Sequence, residues 1–551
     1  MTSDARVNVL LIGSGGREHA LAWKLVQSPR LAKLWLSDGT NPGLGALGTP
    51  VDVPVDIKQI FRLQLFCDKN NIGLVVIGPE EPLAQGFADA LIAPGRVVFG
   101  PIQAAARLES DKAWCKQLMR AASIPTAEGR IFTDPESARA YVESRVHDDD
   151  ALKALHEESS KYRDAADRRK FIRRRVTEDK GLAAAYSKRH DDLPVIKAAG
   201  LAGGKGVILP CTLAEAVGEN GAIDRIMVRR DFGDAGKTLL VEERLEGREV
   251  SVLALTDGRA IYVLETCEDH KRLGDGDTGP NTGGMGVICP GVLGLGLGLD
   301  LGSDLGLGLG TPTLRVGGSD SETHAVRVED SLANAPSADP PHPDEELLRQ
   351  IESEILVPTL DAIRRDGIDY RGVLYAGLML TPAGPKVLEF NCRFGDPECQ
   401  ALMVRMENDL IDVLMAVGAR KLDEQDIKWK PGASCVVVLA SKGYPEKPKV
   451  GVPIEGLDDA AKVPGVVVFH SGTKREAGKI VSAGGRVLSV TAVGATAAEA
   501  RARAYEAVGK IRFDGMQVRS DIGGGARSKA HGSGSEIHAG RMGKRSRAAK
   551  A

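Results

Sequence analysis

The sequence predicts a multidomain protein of the α/β and α+β classes, with an open parallel α/β sheet at the N-terminus and a small β-rich domain at the C-terminus. Its 551 residues are enough for several domains, and 42% of them are hydrophobic, which is enough to build their cores. In the first hundred residues, continuous apolar runs alternate with helical patterns, as in a parallel sheet covered on both faces. After Gly432, three apolar runs and one helical pattern follow closely, which indicates a smaller β-rich unit.

The N-terminal domain is expected to cover residues 1–103. The run "VNVLLIG" (7–13) is typical of a buried strand, and the helical pattern "GGREHALAWKLVQS" follows it. The runs "IGLVVIGPE" (72–80) and "RVVFG" (96–100) predict two further strands. Because helical segments separate these runs, we expect the strands to be parallel.

The central domain is expected to cover residues 104–428, with two insertions. The first, near residues 147–192, is dense in charged residues and predicts a solvated helical excursion. The second, residues 291–343, begins with Gly–Leu repeats and continues rich in Ser, Asp and Pro, which is typical of a disordered surface loop. We expect both insertions to be dispensable for activity.

The C-terminal domain is expected to cover residues 429–523 and to end in a disordered tail, residues 524–551. The tail is basic and rich in Gly, Ser and Ala. Contact with nucleic acid is one interpretation of such a tail, and a solubilising extension is the interpretation we favour.

Composition excludes several classes of protein. The net charge of −3 gives no global field for nucleic acid or for an acidic partner. None of the eight cysteines forms a C-x-x-C pair, so we expect neither a zinc site nor a disulfide framework, and a reducing compartment. The N-terminus lacks the pattern of a signal peptide, and no apolar run is long enough to cross a membrane. We therefore expect a cytoplasmic protein with no membrane and no nucleic-acid partner.

The stretch "KVLEFNCRFGDPE" (386–398) begins as a buried strand and then alternates Glu389, Asn391 and Arg393. Alternate side chains of a strand lie on one face, so these three are expected to point the same way. A carboxylate and an amide oxygen suit Mg²⁺, and a guanidinium can grip a carboxylate. Asp396 and Glu398 follow in a turn, where they can hold an amino group. An exposed polar strand face is the alternative.

The stretch "IKAAGLAGGKGV" predicts a strand that ends at Lys197 and a glycine-rich loop. Gly203, Gly204 and Gly206 surround Lys205, and such a loop offers N–H groups and an ammonium to a polyphosphate. The loop is not a Walker A motif, because the required order of Gly, Lys and Ser or Thr fails. A plain glycine-rich hairpin is the alternative.

Acids at the end of another strand suggest a nucleotide site. "LLVEERLEGREVSV" places Glu242 and Glu243 at the end of an apolar run and Glu249 shortly after. The backbone beside such an acid can hold an adenine edge, and a further acid can bind ribose hydroxyls. Salt-bridged surface acids are the alternative.

Three further segments offer groups for an anionic substrate. "GSGGREH" is half of a dinucleotide fingerprint and can cradle one phosphate at a helix N-terminus. "VIGPEEPL" places Glu80 at the carboxyl end of a strand, where ligands of open α/β sheets bind. "EDHKRLGDGDTGPNTGGMG" carries Asp269, Lys271 and Arg272, which could bind a sugar phosphate. A glycine-rich surface loop is the alternative for the last segment.

Taken together, these motifs resemble the phosphoribosylamine–glycine ligase family of the ATP-grasp superfamily. The resemblance rests on the ordered motifs "GSGGREHA", "VIGPEEPL", "LESDKAW", "IKAAGLAGGKGV", "VEERLEGREVSV", "EDHKRLGDGDTGPNTGGMG", "YRGVLYAGLM" and "VLEFNCRFGDPE". It covers the chain from about Val7 to Ile522, apart from the insertions. It implies a central ATP-grasp fold and the ATP-dependent ligation of glycine to 5-phosphoribosylamine through a glycyl phosphate, in purine synthesis.

The resemblance also implies a role for each candidate residue. The residues implied for ATP are Lys112, Lys197, Gly203, Gly204, Lys205, Gly206, Glu242, Glu243, Leu245 and Glu249. Those implied for Mg²⁺ or Mn²⁺ are Glu389 and Asn391. Those implied for the glycine and phosphoribosylamine sites are Gly15, Gly16, Arg17, Glu80, Asp269, Lys271, Arg272, Arg393, Asp396 and Glu398. Those implied to act in catalysis are Arg393, Lys205 and Asp396.

Two departures and two rival functions stay open. The strand "RGVLYAGLML" carries no acid where many ATP-grasp enzymes have a second metal ligand, and Asp111 stands where a small residue is common. One rival is another ATP-grasp carboxylate–amine ligase of purine metabolism. The other is a catalytically silent nucleotide-binding module. We expect small-molecule substrates and a monomer or a homodimer.

Overall fold

The computed structural model describes residues 6–145, 150–159, 161–162, 165–179, 181–182, 193–291, 314–315 and 343–524. The expected tail except Gly524, and all of the second insertion except Gly291, Pro343 and the short strand at 314–315, lie outside these residues. Among the residues described, no helix combines the length and apolar character needed to cross a bilayer.

The N-terminal part of the chain forms a parallel five-stranded sheet. In chain order its elements are β1 (Val7–Ile12), α1 (Gly16–Leu25), β2 (Leu31–Leu36), α2 (Pro42–Gly45), β3 (Thr49–Pro50), α3 (Ile60–Lys69), β4 (Ile72–Ile77), α4 (Glu80–Ala84), α5 (Phe87–Leu91) and β5 (Val97–Phe99). The strand order is β3-β2-β1-β4-β5, and every pair is parallel. The expected parallel sheet is confirmed.

The next part of the chain builds a four-stranded antiparallel sheet with helices. Its elements are α6 (Gln103–Ser110), α7 (Lys112–Ala121), β6 (Gly129–Phe132), α8 (Pro135–Arg145), α9 (Asp150–Ser159), α10 (Ala165–Glu178), β7 (Val195–Ala198), β8 (Val207–Ile208), α11 (Leu213–Val217) and β9 (Leu239–Glu242). The strand order is β6-β9-β7-β8, so the glycine-rich stretch joins two antiparallel neighbours, as predicted.

The first insertion contains two of these helices, α9 and α10. They enclose a small apolar cluster of their own, built from Leu155, Ile172 and Leu182. The helical prediction for this segment is confirmed. The cluster explains how a segment so rich in charge holds two helices together, because it removes apolar area from water.

A second antiparallel sheet carries the strand of greatest interest. The next elements along the chain are β10 (Arg248–Thr256), β11 (Ala260–Val263), β12 (Glu268–Asp269), β13 (Arg272–Gly274), β14 (Thr278–Asn281), β15 (Gly286–Cys289), β16 (Leu314–Arg315), α12 (Pro343–Ile351), α13 (Val357–Arg365), β17 (Gly372–Thr381) and β18 (Gly384–Asn391). The sheet order is β16-β11-β10-β17-β18. A π-helical turn, Glu352–Leu356, joins α12 to α13.

The C-terminal part completes a sheet that begins far earlier in the chain. Its elements are α14 (Glu398–Arg405), α15 (Leu410–Ala419), β19 (Ala433–Ala440), α16 (Leu457–Ala460), β20 (Val466–His470), β21 (Thr473–Glu476), β22 (Lys479–Ser482), β23 (Arg486–Gly494) and α17 (Ala497–Val508). The sheet order is β12-β15-β19-β23-β20. The predicted β-rich unit is confirmed, and it shares its sheet with β12 and β15, which flank the hairpin β13–β14.

One apolar core connects these parts. It includes Leu11 of the N-terminal sheet, Tyr375 of the central sheet and Val436 and Phe469 of the C-terminal sheet, all buried. Such a shared core fixes the three parts against one another and so places residues from all of them around one site.

Candidate active site

The carboxyl end of β18 brings together the three alternating side chains that the sequence singles out. The Arg393 Nη2 donates to the Asn391 Oδ1 at 3.0 Å. The expectation that all three belong to one strand is wrong in one respect, since β18 ends at Asn391 and Arg393 lies in the turn beyond it. The register against β17 also shifts, because Leu378 faces Val387 while Gly377 faces Glu389. Leu388 is therefore an extra residue in the strand, a bulge that redirects the residues after it.

Arg393 is held between two acids that lie far from it in sequence. Its Nε lies 3.2 Å from the Glu80 Oε2, and its Nη2 lies 2.8 Å from the Glu109 Oε1. Burial opposes the charge, but Glu109 and Glu80 together raise the pKa of Arg393 above its ordinary value. Glu109 also accepts the Cys392 backbone N–H at 2.8 Å. The guanidinium is thus fixed before any ligand arrives.

A buried ion-pair triad lies beside the strand end. The Glu242 carboxylate pairs with Lys116, and also with Lys197 at 2.5 Å, and all three side chains are nearly inaccessible to water. Burial opposes the charge of Glu242, but Lys197 and Lys116 lower its pKa. Lys197 also donates to the Leu388 carbonyl at 3.0 Å, where the bulge exposes that oxygen. The Glu242 side chain is therefore engaged by the two lysines, and the assignment of the backbone beside it to an adenine stays a prediction.

A pocket opens between this triad and the strand end. Its charged lining consists of Lys112, Lys116, Lys197, Glu242 and Glu389, and its apolar lining includes Met119, Leu240 and Phe390. Burial raises the pKa of Glu389, but the cations Lys271, Lys112 and Lys197 outweigh it and lower that pKa overall. The pocket thus combines an ionised carboxylate with lysines, as an anionic ligand with a metal ion requires.

The backbone hydrogen bonds between the glycine loop and the rest of the described chain lie at its base, and one bond within the loop joins the Lys205 N–H to the Ala202 carbonyl at 3.0 Å. The Ala198 N–H donates to the Gly206 carbonyl at 2.8 Å, and the Lys112 N–H donates to the Ala199 carbonyl at 2.8 Å. At the tip, Gly203 and Gly204 have φ of +55° and +74°, with open space where a Cβ would stand. Lys205 is exposed and does not line the pocket, so the structure does not bring it to the other candidate residues.

The other residues predicted for the nucleotide are not part of this pocket's lining, and Glu249 lines a separate pocket with Val250 and Cys267. The Glu243 Oε1 accepts the Glu128 N–H at 3.0 Å and pairs with Lys386 at 3.2 Å. Leu245 is half-buried, and Glu249 is exposed at the start of β10. Glu243 and Leu245 follow Glu242 at the end of β9, and Glu249 lies near the start of β10.

The predicted phosphate cradle at the start of α1 is partly filled by the chain itself. Gly15 caps the helix, and its N–H donates to the Glu18 Oε2 at 2.7 Å. Glu18 also pairs with the Arg17 Nε at 2.6 Å. Glu18 is the residue that breaks the dinucleotide fingerprint, and its carboxylate stands where that motif would place a phosphate. The neighbouring Gly16 faces Ser471 and Gln400, whose side chains a Cβ would strike.

Arg17 connects this cradle to the strand end. It donates to the Phe394 carbonyl at 3.1 Å and lies 3.9 Å from Glu80, which also pairs with Arg393. Burial opposes its charge, but Glu18 raises the pKa of Arg17. Arg17, Glu80 and Arg393 therefore form one network.

Asp396 and Glu398 are fixed by partners from two other sheets. Asp396 accepts from the Gln400 Nε2 at 2.8 Å and lies 3.5 Å from the Arg486 Nη2. Burial raises the pKa of Asp396, but Arg486 and Arg17 lower it overall. Glu398 accepts from the Tyr375 hydroxyl at 2.7 Å. Both acids are thus held in fixed positions beside the strand end.

Asp269 and Lys271 lie on the acidic side of the site, which is the side that carries Glu398 and Glu389. Tyr375 raises the pKa of Lys271, burial lowers it, and Asp269 and Glu389 raise it further, so that it stands well above its ordinary value. Burial and Glu398 raise the pKa of Asp269. The Asp269 Oδ1 is buried, with no hydrogen-bond partner among the described residues. The Arg272 Nη1 donates instead to the Gly279 carbonyl at 3.1 Å, within the hairpin.

Sequence reasoning missed four residues that position this site, namely Glu109, Lys116, Tyr375 and Arg486. Lys116 carried a usable signal, since it lies four residues after Lys112 and so on the same face of α7. Glu109 lies within the motif "LESDKAW" and Tyr375 within the motif "YRGVLYAGLM", so both stood in stretches that the sequence singled out. Arg486 carried no local signal, because only tertiary packing brings it to the site.

Family models match most of the chain. The model described as "Phosphoribosylglycinamide synthetase, N domain" matches residues 7–109. The ATP-grasp (A) domain of the same synthetase matches residues 170–294 and 335–399, and its C domain matches residues 434–525. The N, A and C domain models of this one synthetase thus match successive parts of the chain.

Curated relatives and solved structures agree with these models. The chain is 42% identical to phosphoribosylamine–glycine ligase of Rhodopirellula baltica over 94% of this chain and 97% of that protein. It is 39% identical to the trifunctional purine biosynthetic protein adenosine-3 of Gallus gallus, over 94% of this chain and 42% of that protein. The crystal structure of phosphoribosylamine–glycine ligase from Thermotoga maritima matches with a TM-score of 0.64 at 26% identity, covering 94% of this chain and 100% of that one. A biotin carboxylase domain from Hydrogenobacter thermophilus matches with a TM-score of 0.56 at 14% identity, over 93% and 91% of the two chains, and shows the same fold.

Proposed function

This chain belongs to the phosphoribosylglycinamide synthetase family, and we propose on that premise how its residues carry out the family's reaction. The reaction is the ATP-dependent ligation of glycine to 5-phosphoribosylamine in purine biosynthesis. It gives glycinamide ribonucleotide, ADP and phosphate. We propose that it proceeds through a glycyl phosphate, whose carbonyl the amine then attacks as phosphate leaves.

The observation that carries the proposal is the shared pocket of Lys112, Lys197 and Glu389. Phosphoryl transfer to a carboxylate gathers several negative charges, so the site must supply cations in fixed positions. Lys197 is fixed by Glu242 and by the Leu388 carbonyl. It is therefore placed to hold a phosphate of ATP without first reorganising.

The donor atoms at the strand end fit a divalent cation. Glu389 is held as a carboxylate by the surrounding cations, and Asn391 offers an amide oxygen. Mg²⁺ binds a few protein oxygens and takes the rest from phosphates and water. Glu389 and Asn391 would hold Mg²⁺, or Mn²⁺, which would neutralise charge on the phosphates of ATP.

Arg393 is our candidate for the glycine carboxylate. Glu80 and Glu109 hold its guanidinium in one orientation, and a fixed guanidinium can bind a carboxylate with two parallel hydrogen bonds. Asp396 and Glu398 lie within the same turn and start of helix, where they can hold the glycine ammonium. Arg393 and Asp396 thereby fix the carboxylate for phosphorylation.

The acidic side of the site is our candidate for the phosphoribosylamine. The unpartnered Asp269 Oδ1 can accept a hydrogen bond from the attacking amine. Lys271 and Arg272 are the candidates for the phosphate, with Gly15, Gly16, Arg17 and Glu80 on the opposite wall. Because the Gly15 N–H already donates to Glu18, Gly15 is the weakest member of this set.

The nucleotide base and the loop complete the assignment. Glu243, Leu245 and the backbone at Glu242 would border adenine, and Glu249 would hold the ribose. Gly203, Gly204 and Gly206 would cover the phosphates. Lys205, which is exposed, would reach them only once the loop closes, and a lid of this kind shields a reactive acyl phosphate from water.

Three broader statements are also part of the proposal. The domain limits 1–103, 104–428 and 429–523 are supported by the order of the matched family models. A cytoplasmic location is supported by the eight cysteines, none of which is in a disulfide. We propose a monomer or a homodimer that acts on small molecules, with no membrane or nucleic-acid partner.

The test is glycine-dependent release of ADP from the purified chain with ATP and phosphoribosylamine. We expect turnover with glycine, none without it, and little with the Glu389→Ala variant. Release of ADP with another carboxylic acid in place of glycine would instead support a different carboxylate–amine ligase. Binding of ATP with no turnover on any acid would support the silent nucleotide-binding module.

A further inference from the structure

The hairpin β13–β14 begins directly after Lys271, and its tip is exposed. Residues 275–278 are all exposed to solvent. Asp277 and Gly276 have φ of +54° and +64°, as a tight turn requires. A short two-stranded hairpin is only marginally stable alone, so its position must depend on contacts made elsewhere.

Segment 519–522, near the end of the described chain, supplies such contacts. The Arg519 side chain is almost completely buried, and it donates to the Asp277 Oδ1 at 2.7 Å and to the Arg272 carbonyl at 3.1 Å. The same guanidinium forms two parallel bonds of 2.7 Å with the Asp521 carboxylate. One side chain therefore connects the start of β13 and the turn of the hairpin to segment 519–522.

Two further contacts lock the turn of the hairpin. The Ser520 N–H donates to the Asp275 Oδ1 at 2.8 Å, and the Ser520 hydroxyl donates to the same carboxylate. The Gly276 N–H donates to the Asp521 Oδ2 at 2.7 Å. Each residue of the turn, from Asp275 to Asp277, is thus bonded to one of the residues 519–521.

Segment 519–522 is itself anchored to the last helix. From α17, the Arg501 guanidinium donates to the Ser520 and Ile522 carbonyls at 2.8 and 2.9 Å. The Tyr505 hydroxyl donates to the Arg519 carbonyl at 2.9 Å. Ile522 is fully buried in the C-terminal core. The segment is therefore a rigid connection, and the position of the hairpin depends on that of α17.

We propose that Arg519 is a positioning residue, which sets the place of Lys271 and Arg272, and so the affinity for phosphoribosylamine, by holding the hairpin β13–β14 against the C-terminal domain. Arg519 does not line the proposed nucleotide pocket and reaches it only through Lys271, whose charge acts on Glu389, so its effect on phosphoribosylamine should exceed its effect on ATP. This inference rests on the proposed function in assigning Lys271 and Arg272 to phosphoribosylamine.

The experiment compares Arg519→Met, Asp277→Asn and the double variant with the unaltered chain. Asp277 is largely exposed, so its substitution leaves the fold intact even if Arg519→Met unfolds the domain. We expect each single variant to raise the KM for phosphoribosylamine on the order of tenfold, because each loses a charge-assisted bond, with a clearly smaller rise in the KM for ATP. We expect the double variant to match the worse single variant, since both act through one contact.

Arg503→Met is the matched control. Arg503 belongs to the same helix as Arg501, but it pairs with Glu499 and donates to the Val493 carbonyl, away from the hairpin. It should leave both KM values unchanged. The proposal is overturned if the KM for phosphoribosylamine does not change, or if the KM for phosphoribosylamine and the KM for ATP rise by the same factor. It is also overturned if Arg503→Met raises the KM for phosphoribosylamine as much as Arg519→Met does.

Hydrogen exchange separates this proposal from the proposed function. Exchange of the backbone N–H groups of residues 272–281, measured without substrates, should become faster in Arg519→Met and Asp277→Asn, and stay unchanged in Arg503→Met. Faster exchange with no glycine-dependent turnover in the unaltered chain would leave the contact standing while the proposed function fails. Unchanged exchange together with normal turnover would overturn the contact alone.

Discussion

We propose that the carboxyl end of β18 and the glycine loop between β7 and β8 serve the same phosphoryl transfer. The side chains at the strand end are fixed by several contacts, whereas the tip of the loop is not. At the strand end, Arg393 and Asp396 both have partners before a substrate arrives. At the loop tip, Gly203 and Gly204 have open space around them, and Lys205 is exposed. The difference separates two tasks. Groups that stabilise developing charge must be fixed in advance, whereas a group that covers the substrate must be free to arrive after it.

Removing the charge of Glu389 tests the strand end, which is the fixed side of this comparison. We expect it to have the largest effect on kcat of the variants considered. We expect Glu389→Gln to lower kcat on the order of 10²–10³, because the phosphoryl-transfer site then lacks a preorganised charged group. Steady-state release of ADP at saturating ATP measures it.

Glu354→Gln is the matched control for that variant. Glu354 is an exposed acid in the π-helical turn between α12 and α13, and its substitution should leave kcat unchanged. Full activity of Glu389→Gln at any concentration of Mg²⁺ would remove Glu389 from the site.

Lys116 tests whether the base of the glycine loop belongs to the fixed side. Lys116→Met leaves Glu242 with Lys197 alone, and it removes the bonds that Lys116 makes to the Thr126 hydroxyl and the Ala127 carbonyl. We expect the free energy of unfolding to fall by about 1–3 kcal/mol, because buried acceptors are left without their donor. Urea unfolding measures the change.

The exposed pair of Lys421 and Glu424 provides the control for this variant. Lys421→Met removes an ion pair of 3.0 Å in solvent, which should change the unfolding free energy by less than about 1 kcal/mol. Equal decreases for Lys116→Met and Lys421→Met would show that the triad does not support the loop.

Gly204→Ala sharpens the comparison at the loop tip. The tip has room for a methyl group, but its φ of +74° costs an alanine about 1 kcal/mol, which corresponds to about a fivefold rise in the KM for ATP. Gly233→Ala is the matched control, since Gly233 also has a positive φ, of +57°, and open space around it. The control should lose the same stability with no change in the KM for ATP. A similar rise in both variants would contradict a role of the loop in binding ATP.

Deleting most of the second insertion tests a region that belongs neither to the strand end nor to the glycine loop. We expect it to have the smallest effect on kcat/KM. The family model has no match between residues 294 and 335, so the shared fold does not need them. A chain without residues 295–334 also loses β16, a two-residue edge strand paired with β11 in a segment that the sequence predicts to be disordered. We expect it to keep kcat/KM within about twofold, since surface insertions are usually tolerated. A deletion variant that folds but does not turn over would show that the insertion serves the reaction.

Much of the fold and part of the site can be predicted from the sequence. The runs of β1, β4 and β18 were readable because a buried strand imposes its pattern on neighbouring residues. Glu389, Asn391, Lys112 and Lys197 were found because they stand at strand ends or next to motifs. The resemblance implied that these residues serve one nucleotide and metal site.

The rest of the site depends on packing that the sequence does not show. The bulge at Leu388 and the end of β18 at Asn391 break the simple alternation on which the placement of Arg393 was based. The choice of Glu109 and Arg486 as partners is decided by tertiary contacts, because neither lies near the residue that it holds. A strand-end acid such as Glu242 gives no sign in the sequence that two lysines will converge on its side chain.

The sheet β12-β15-β19-β23-β20 has a consequence for how the enzyme is made. On the ribosome, the strands that flank the substrate hairpin emerge long before β19, the strand that must pair with β15. Pairing between such distant segments cannot begin until the later one has been synthesised. A nascent chain can therefore fold its N-terminal sheet early, yet it acquires a complete site only after the last domain is translated. Unfinished copies then lack the sheet partners of the strands that flank this hairpin.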